Sequence, residues 1–309
     1  MRTATASAYS SSANLGPGFD TMGLAHDAGL TKISVEFIER SPKVELELNC
    51  GNLPTNPSEN TASLAVKNVL ESQGINGSFR ICISNDIPLG LGLGSSGASA
   101  AAAVVAIDSL LDIGLSMDEK VNFAMLGETA SSGTPHADNV AAAIYGGLVM
   151  VESTNPMKVR PLKINRKFSF LTILPHMSIP GKTRISRTLV PSEVSMSQHI
   201  WAIRHTSLMV SGFINGDRGA LRAGMNDHIV ETSRMQMFPF YPEIKKIALK
   251  NEAAGVCISG AGPSILVVID GETDVESILS GAGAVLKSTG IAFSILNSNL
   301  AGGAYIPEN

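Results

Sequence analysis

The stretch Pro88-Leu89-Gly90-Leu91-Gly92-Leu93-Gly94-Ser95-Ser96-Gly97-Ala98 constrains this chain more than any other. Glycine has no Cβ, so repeated glycines let the backbone turn tightly and leave its N–H groups open to a ligand. The Ala-rich run from Gly97 to Leu111 follows at once and reads as a helix packed close to other backbone. A helix that begins directly after such a loop adds its positive end to the pull on an anion. Ser95 and Ser96 bring hydroxyls that donate to phosphate oxygens or ligate a divalent cation. The loop therefore reads as a phosphate cradle. The competing reading is a glycine-rich turn before a tightly packed helix, and the coincidence of Gly, Ser and a helix start favours the cradle.

Two better-known phosphate motifs are excluded. Gly92–Gly97 has the GxGxxG spacing of a dinucleotide fingerprint, but that fingerprint follows a strand directly. Here Asn85-Asp86-Ile87-Pro88 intervene, and Pro88 cannot continue a central strand. The acidic residue such a site needs is represented only by Asp112, at the close of the helix. Gly181-Lys182-Thr183 resembles the end of a Walker A loop, but the first glycine of that motif would fall at His176.

Around the loop, periodicity predicts strands interleaved with helices. Ile33–Ile38 and Val44–Leu48 alternate apolar and polar residues as half-buried strands do, and Ser78–Ser84 is a further strand. Asn60–Ser72 has helical spacing, with Leu64, Val66, Val69 and Leu70 as its apolar positions. A helix is expected from about Asp118 to Thr129, and Asn139–Val151 reads as a short helix and then a strand. The polar, Pro-containing segment Glu152–Lys167 marks a boundary between two domains, 1–160 and 161–309. Beyond it come a strand at Phe168–Leu174, helices at His199–Asn215 and Arg218–Met225, strands at Gly255–Ile258 and Ile265–Ile269, a helix at Val275–Ser288 and a strand at Ile291–Leu296. The class is α+β or α/β.

Composition narrows the partners. Hydrophobic residues make up 44% of the 309 and charged residues 16%, which suits a compact fold with a large core. Net charge is −4 and no dense Lys/Arg stripe occurs, which argues against nucleic acid and means that an anion needs a local site. Cys50, Cys82 and Cys257 are scattered and odd in number, so a reducing, cytoplasmic setting is expected rather than a disulfide framework. The N-terminus lacks the apolar run of a signal peptide, and Gly97–Leu111 is too short to span a membrane, so no membrane partner is expected.

Three more glycine-punctuated loops accompany the first: Ser11–Asp20, Gly133-Thr134-Pro135-His136-Ala137-Asp138-Asn139, and Gly255–Ser264. Loops held on a rigid scaffold carry function. Together the four resemble the GHMP kinase superfamily, named for galactokinase, homoserine, mevalonate and phosphomevalonate kinases. The similarity to its homoserine kinase branch runs from about Thr3 to about Ile269. It is carried by Ser12–Gly23, His136-Ala137-Asp138-Asn139, Thr183…Arg187-Thr188-Leu189-Val190-Pro191, Asp227…Arg234…Pro239 and Gly260–Ser264. Gly97 departs from the pattern, which more often has Ala there.

The resemblance implies an α+β, two-domain GHMP kinase fold. The N-terminal domain would be like ribosomal protein S5 domain 2, the C-terminal domain ferredoxin-like, and the active site would lie in the cleft between them. It implies ATP and Mg²⁺ as cofactors and L-homoserine as the phosphorylated alcohol, a step of threonine biosynthesis, and it leaves room for a homodimer. ATP would bind along Pro88–Ala98, with its phosphates on Gly92–Ser96. Glu128 with Ser96 would hold Mg²⁺, Asn14 and Asp20 would face the substrate ammonium, and Arg187 and Arg234 would clamp its carboxylate. Thr183 would reach toward the γ-phosphate, with His136 and Gly260 on the substrate side. Asn139 would hold the reacting hydroxyl, with Asp138 and His136 as rival general bases. By residue type alone, Glu128, Arg187 and Arg234 read as solvated surface charges. Two other readings stay open: a GHMP kinase for mevalonate, a sugar or shikimate, and a non-catalytic nucleotide-binding paralogue.

Overall fold

The computed structural model describes residues 2–132 and 135–308; Gly133 and Thr134 of the third loop lie outside the described residues. Strand β1 (Arg2–Ala13) runs antiparallel to the long β2 (Met22–Glu39). The opposite edge of β2 pairs with β4 (Gly77–Asn85) along one part and with β5 (Leu148–Thr154) along another. β3 (Val44–Asn49) and β6 (Met157–Leu162) complete the sheet in the order β3-β4-β2-β5-β6, with β1 lying off that path. Helices α1 (Thr61–Ser72), α2 (Ser95–Leu111), α3 (Met117–Ser132) and α4 (Asp138–Tyr145) pack as a layer against it.

The central helix is α2, and its sequence explains why. A helix apolar all round has to be buried, and Ala98, Ala100–Ala103 and Ala106 are fully buried on every side of it. Small side chains let β1, β2, α1, α3 and α4 all approach its backbone. The same economy holds between α1 and α3, where a Cβ on Gly127 would stand 2.6 Å from the Thr61 carbonyl oxygen.

A second sheet, β10-β7-β9-β8, is wholly antiparallel. β7 (Ser169–Pro175) leads into α5 (Lys182–Thr188), α6 (Met196–Asn215), α7 (Arg218–Gly224), α8 (Val230–Arg234) and α9 (Tyr241–Lys250). β8 (Gly255–Ile258), β9 (Ile265–Ile269), α10 (Val275–Ser288) and β10 (Phe293–Ser298) follow. Two βαβ halves whose outer strands meet in this order make the ferredoxin-like arrangement. A core shared by both sheets fixes their relation. Leu15, Met22, Leu24 and Leu148 from the first unit pack with Phe168, Phe170, Met209, Phe213 and Leu266 from the second.

Four features depart from the expected elements. β1 is a strand although it shows no alternation: Ala6, Ser7, Ala8 and Ser10–Ser12 are all buried, because the strand is covered on both faces by small-residue contacts. The polar segment taken for a boundary contains β6, which belongs to the first sheet through Leu162, two residues past the expected cut after 160. We therefore place the crossing at 163–168. Residues 299–305 do not stay with the second unit but return to the first, where Leu300, Gly302 and Tyr305 bridge to His26, Gly146 and Ser7. Helices α5, α8 and α9 fall where no helix is read from periodicity.

Gly127→Ala tests the α1–α3 packing. Helix propensity alone would stabilise by about 1 kcal/mol. The new methyl, 2.6 Å from backbone, should cost about 1–3 kcal/mol by overpacking. A net loss is expected in the denaturant midpoint, and a raised midpoint would show that α1 moves aside freely.

Candidate active site

The main cleft, about 290 Å³, opens where the glycine-rich loop meets the start of α5 and the turn Ser259–Ser264. The loop's carbonyl groups explain its shape. Lys182 Nζ donates to Gly90 O (2.6 Å), Ser264 N to Leu91 O (3.1 Å), Ser259 Oγ to Gly92 O (2.6 Å) and Ser11 N to Leu93 O (3.0 Å). In a trans peptide the C=O and the following N–H point in opposite directions. Holding four successive carbonyls from one side therefore turns the N–H groups of Leu91, Gly92, Leu93 and Gly94 the other way. Among the described residues none of these four N–H groups has an acceptor. No side chain caps α2, so its first-turn N–H groups are free as well. This is an anion site made of backbone.

The glycines are obligatory at two positions. Gly92 (φ 90°) and Gly94 (φ 65°) are left-handed, and a Cβ on them would stand 2.5 Å from Ser259 O and 2.2 Å from Ser11 Oγ. Pro88, Leu89, Gly90, Leu93, Ser95 and Ser96 line the cleft with them. Leu91, Gly97 and Ala98, also expected at ATP, sit behind the wall: Leu91 and Ala98 join the core, and Gly97 packs against Asn139 Cβ.

Glu128 is not a surface residue. It is 6% exposed on α3, and Ser96 Oγ donates to its Oε2 at 3.1 Å. Burial pushes its carboxyl up to about 7, with Asp138 adding to the shift. Asp138, at the start of α4, is pushed up to about 6 by burial and then by Asp20. Beside it, Asn139 Oδ1 accepts from Ser11 Oγ at 2.9 Å, which leaves Nδ2 as the amide atom with protons to give.

At the other end Arg187 forks onto Asp20, with Nη1 to Oδ2 at 2.6 Å and Nη2 to Oδ1 at 3.1 Å. Nη2 also lies 2.6 Å from His136 Nδ1. The same nitrogen lies 3.3 Å from His136 Nε2, and since a guanidinium only donates, the imidazole nitrogen it meets is an acceptor. Burial and the Arg187 charge hold the His136 pKa down. The sequence expectation set Asp20 and Arg187 to opposite ends of a substrate; here they pair directly. Arg234 is buried, donates to Ser186 O and Gly260 O, and is lowered to about 10 by burial and Arg187. Asn14 Nδ2 shares the Gly260 carbonyl, and its Oδ1 accepts from Asp20 N. Thr183 lines the cleft between these groups and the glycine loop.

Sequence reasoning left four contributors without a role. Ser11 orients the Asn139 amide, and Ser259 holds the Gly92 carbonyl of the glycine-rich loop. Phe19 stacks under both guanidinium groups, 4.9 Å from Arg187 and 5.2 Å from Arg234. Lys182 was set aside with the failed Walker motif, and the structure puts it on the cleft wall. The signal for Phe19 was its place inside Ser12–Gly23; Lys182 carried none.

Comparison with known proteins agrees with this geometry. The pattern of the GHMP kinases N terminal domain matches residues 60–147, and that of the GHMP kinases C terminal domain matches 209–288. The homoserine kinase of Sulfurisphaera tokodaii is 43% identical over 299 residues, covering 97% of each chain. This chain belongs to the homoserine kinases of the GHMP superfamily. The homoserine kinase of Saccharolobus solfataricus is 41% identical over 307 residues, covering 99% of each chain. The crystal structure of homoserine kinase from Cytophaga hutchinsonii superposes with a TM-score of 0.88 at 31% identity, covering 99% of this chain and 98% of that one. The two-domain GHMP fold expected from the motifs is thus present, and the chain is a kinase that uses ATP.

The buried carboxylate makes a stability prediction. An acid whose folded pKa lies above its unfolded value contributes stability at low pH that is lost as pH rises through the folded pKa. For Glu128 that window runs from about 4.5 to about 7. In metal-free buffer wild-type stability should fall across this range by on the order of 2–3 kcal/mol. Glu128→Gln should lose most of that slope, keep the residual part due to Asp138, and lose activity. A pH–melting profile unchanged by the substitution would place the titrating group elsewhere.

Proposed function

We propose that this chain transfers the γ-phosphoryl group of ATP to the side-chain hydroxyl of L-homoserine, giving O-phospho-L-homoserine, ADP and a proton, a step of threonine biosynthesis. One observation carries the reading: a cradle of free backbone N–H groups and an Asp20–Arg187–Arg234 cluster face each other across a single cleft. A triphosphate fits the first, and a small amino acid with one ammonium and one carboxylate fits the second. In this reading Asp20 and Asn14 take the ammonium, and Arg187 and Arg234 take the carboxylate, so the substrate opens the Arg187–Asp20 pair. Phe19 keeps the two guanidinium groups on one level beneath it. His136 and the Gly260 carbonyl complete the substrate side, and Thr183 meets the γ-phosphate.

The donor chemistry suits Mg²⁺. Glu128 and Ser96 are hard oxygen ligands in contact, and a buried carboxylate with its pKa near 7 gains from a cation. Among the described residues no group of three His, Cys, Asp or Glu side chains converges, so the remaining ligands would be phosphate oxygens and water. When bound, the ion neutralises charge on the phosphates. The chain's own work is positioning: the loop N–H groups align the phosphates, and Asn139 Nδ2 holds the homoserine hydroxyl in line with them. Phosphoryl transfer through a loose transition state needs no early proton removal, so no dedicated base is required. The enzyme is proposed to work in the cytoplasm, in keeping with its unpaired cysteines. Among the described residues no helix is long and apolar enough to cross a membrane.

ADP release measured with homoserine, mevalonate, shikimate, galactose and threonine should be strongest with L-homoserine. A preference for mevalonate would keep the superfamily chemistry and reject the acceptor. The proton question is tested by Asp138→Asn and Asn139→Leu, with homoserine affinity measured separately from kcat. Asp138 has a competing claim, since a carboxyl near 6 is mostly ionised at neutral pH. Loss of kcat by more than about a hundredfold in Asp138→Asn, at unchanged affinity and with loss of the acidic limb of the pH–rate profile, would make Asp138 the base. The expected result is a smaller loss there than in Asn139→Leu.

A further inference from the structure

Lys182 is a buried cation for which the protein supplies no anion. It is the first residue of α5, is 7% exposed and lines the cleft beside Gly90 and Gly92. The lysines that form ion pairs among the described residues are Lys43, Lys67, Lys120, Lys167 and Lys245; Lys182 has none. Its partners are two carbonyl oxygens, Gly90 O on the nucleotide loop and Gly262 O on the Ser259–Ser264 turn. The charged neighbour that acts on it is Arg234, another cation. An ammonium in such a place is costly unless a charge of opposite sign joins it. The group has three donors, and two are used, which leaves one for the cleft.

We propose that Lys182 is a catalytic residue: its ammonium takes the β- and γ-phosphate oxygens of ATP while its other two N–H bonds hold the nucleotide loop against the turn of the second domain. The assignment rests on the phosphoryl-transfer reading above. It accounts for a charge that the Mg²⁺ site and the substrate clamp leave unexplained. It also makes loop geometry and phosphate charge depend on one side chain, so the cradle is completed only when both domains are in place.

The titration of the group gives the test a handle. Burial and Arg234 lower the Lys182 pKa to about 8. A bound triphosphate favours the ammonium and raises that pKa, so nucleotide binding takes up protons just above pH 8. The other titratable groups facing the cleft are Glu128, Asp138, His136 and Asp20, with Arg187 and Arg234. Glu128 and Asp138 titrate near 7 and 6 and Arg234 near 10, so pH 8.5 isolates the lysine.

The experiment is calorimetric titration of the full chain with magnesium and a non-hydrolysable ATP analogue at pH 8.5, in two buffers of different ionisation enthalpy. Wild type should take up roughly half a proton per nucleotide bound, and Lys182→Met close to none. Lys182→Met should raise the ATP KM by about tenfold or more and lower kcat, with the homoserine KM changed by less than about threefold. Lys182→Arg, which keeps the charge, should recover part of the ATP affinity. Proton uptake that persists in Lys182→Met overturns the proposal. So does a methionine variant whose melting temperature falls while both KM values stay put, since that marks a purely structural clasp. If lysine-dependent uptake is seen but no homoserine-dependent ADP release, the acceptor reading fails and the role of Lys182 stands.

Discussion

The contact between the nucleotide loop and the turn Ser259–Ser264 is the one on which the rest of the site depends. A glycine-rich loop has too much backbone freedom to present a fixed row of N–H groups. Here the freedom is removed by taking its carbonyls one after another: Gly90 by Lys182, Leu91 by Ser264 N, Gly92 by Ser259. All three donors come from the second unit. The loop is therefore stiff only in the assembled protein, and its stiffness costs the free N–H groups nothing, since they lie on the other side of each peptide plane. Preorganised donors of this kind stabilise developing charge without reorganising during the reaction.

Around that contact the site collects ionisable groups that the fold alone would not favour. Glu128 and Asp138 are buried acids held above their usual range, and Lys182 and Arg234 are buried bases held below theirs. The ammonium of Lys182 meets carbonyl oxygens rather than an anion. Asp20 and Arg187, the more exposed pair, neutralise each other. Lys182 is left in wait for a charge that arrives with the ligand, which is the usual sign of a site in which stability has been traded for function.

Much of this was legible in the sequence, and what was not had physical reasons. Elements with clear periodicity fell close to their expected bounds: Asn60 caps α1 at Thr61, and α10 occupies Val275–Ser288 as read. The loop Pro88–Ala98, Glu128, Arg187 and Arg234 meet in one cleft, apart from the three loop residues that sit behind its wall. β1 escaped because a strand buried on both faces among alanines and serines has no alternation to show. β6 escaped because a polar edge strand looks like a linker. The direct pairing of Asp20 with Arg187, and the place of Lys182 against Gly262, join residues 167 and 80 positions apart, and no local pattern encodes such a meeting.

The return of residues 299–305 to the first sheet has a consequence for how the molecule can move. Asn299 and Ala301 exchange backbone hydrogen bonds with Asp27, Ala25 and Gly147, and Ala304 and Tyr305 with Ala143 and Ser7. The second unit is thus spliced into the first like a cassette, entered at 163–168 and left at 299. A body hung from one strand can swivel in any direction; a body hung from two can only swing about the line that joins them. The core shared by the two units closes off that arc as well, so the Ser259–Ser264 turn keeps its place against the carbonyls of the nucleotide loop.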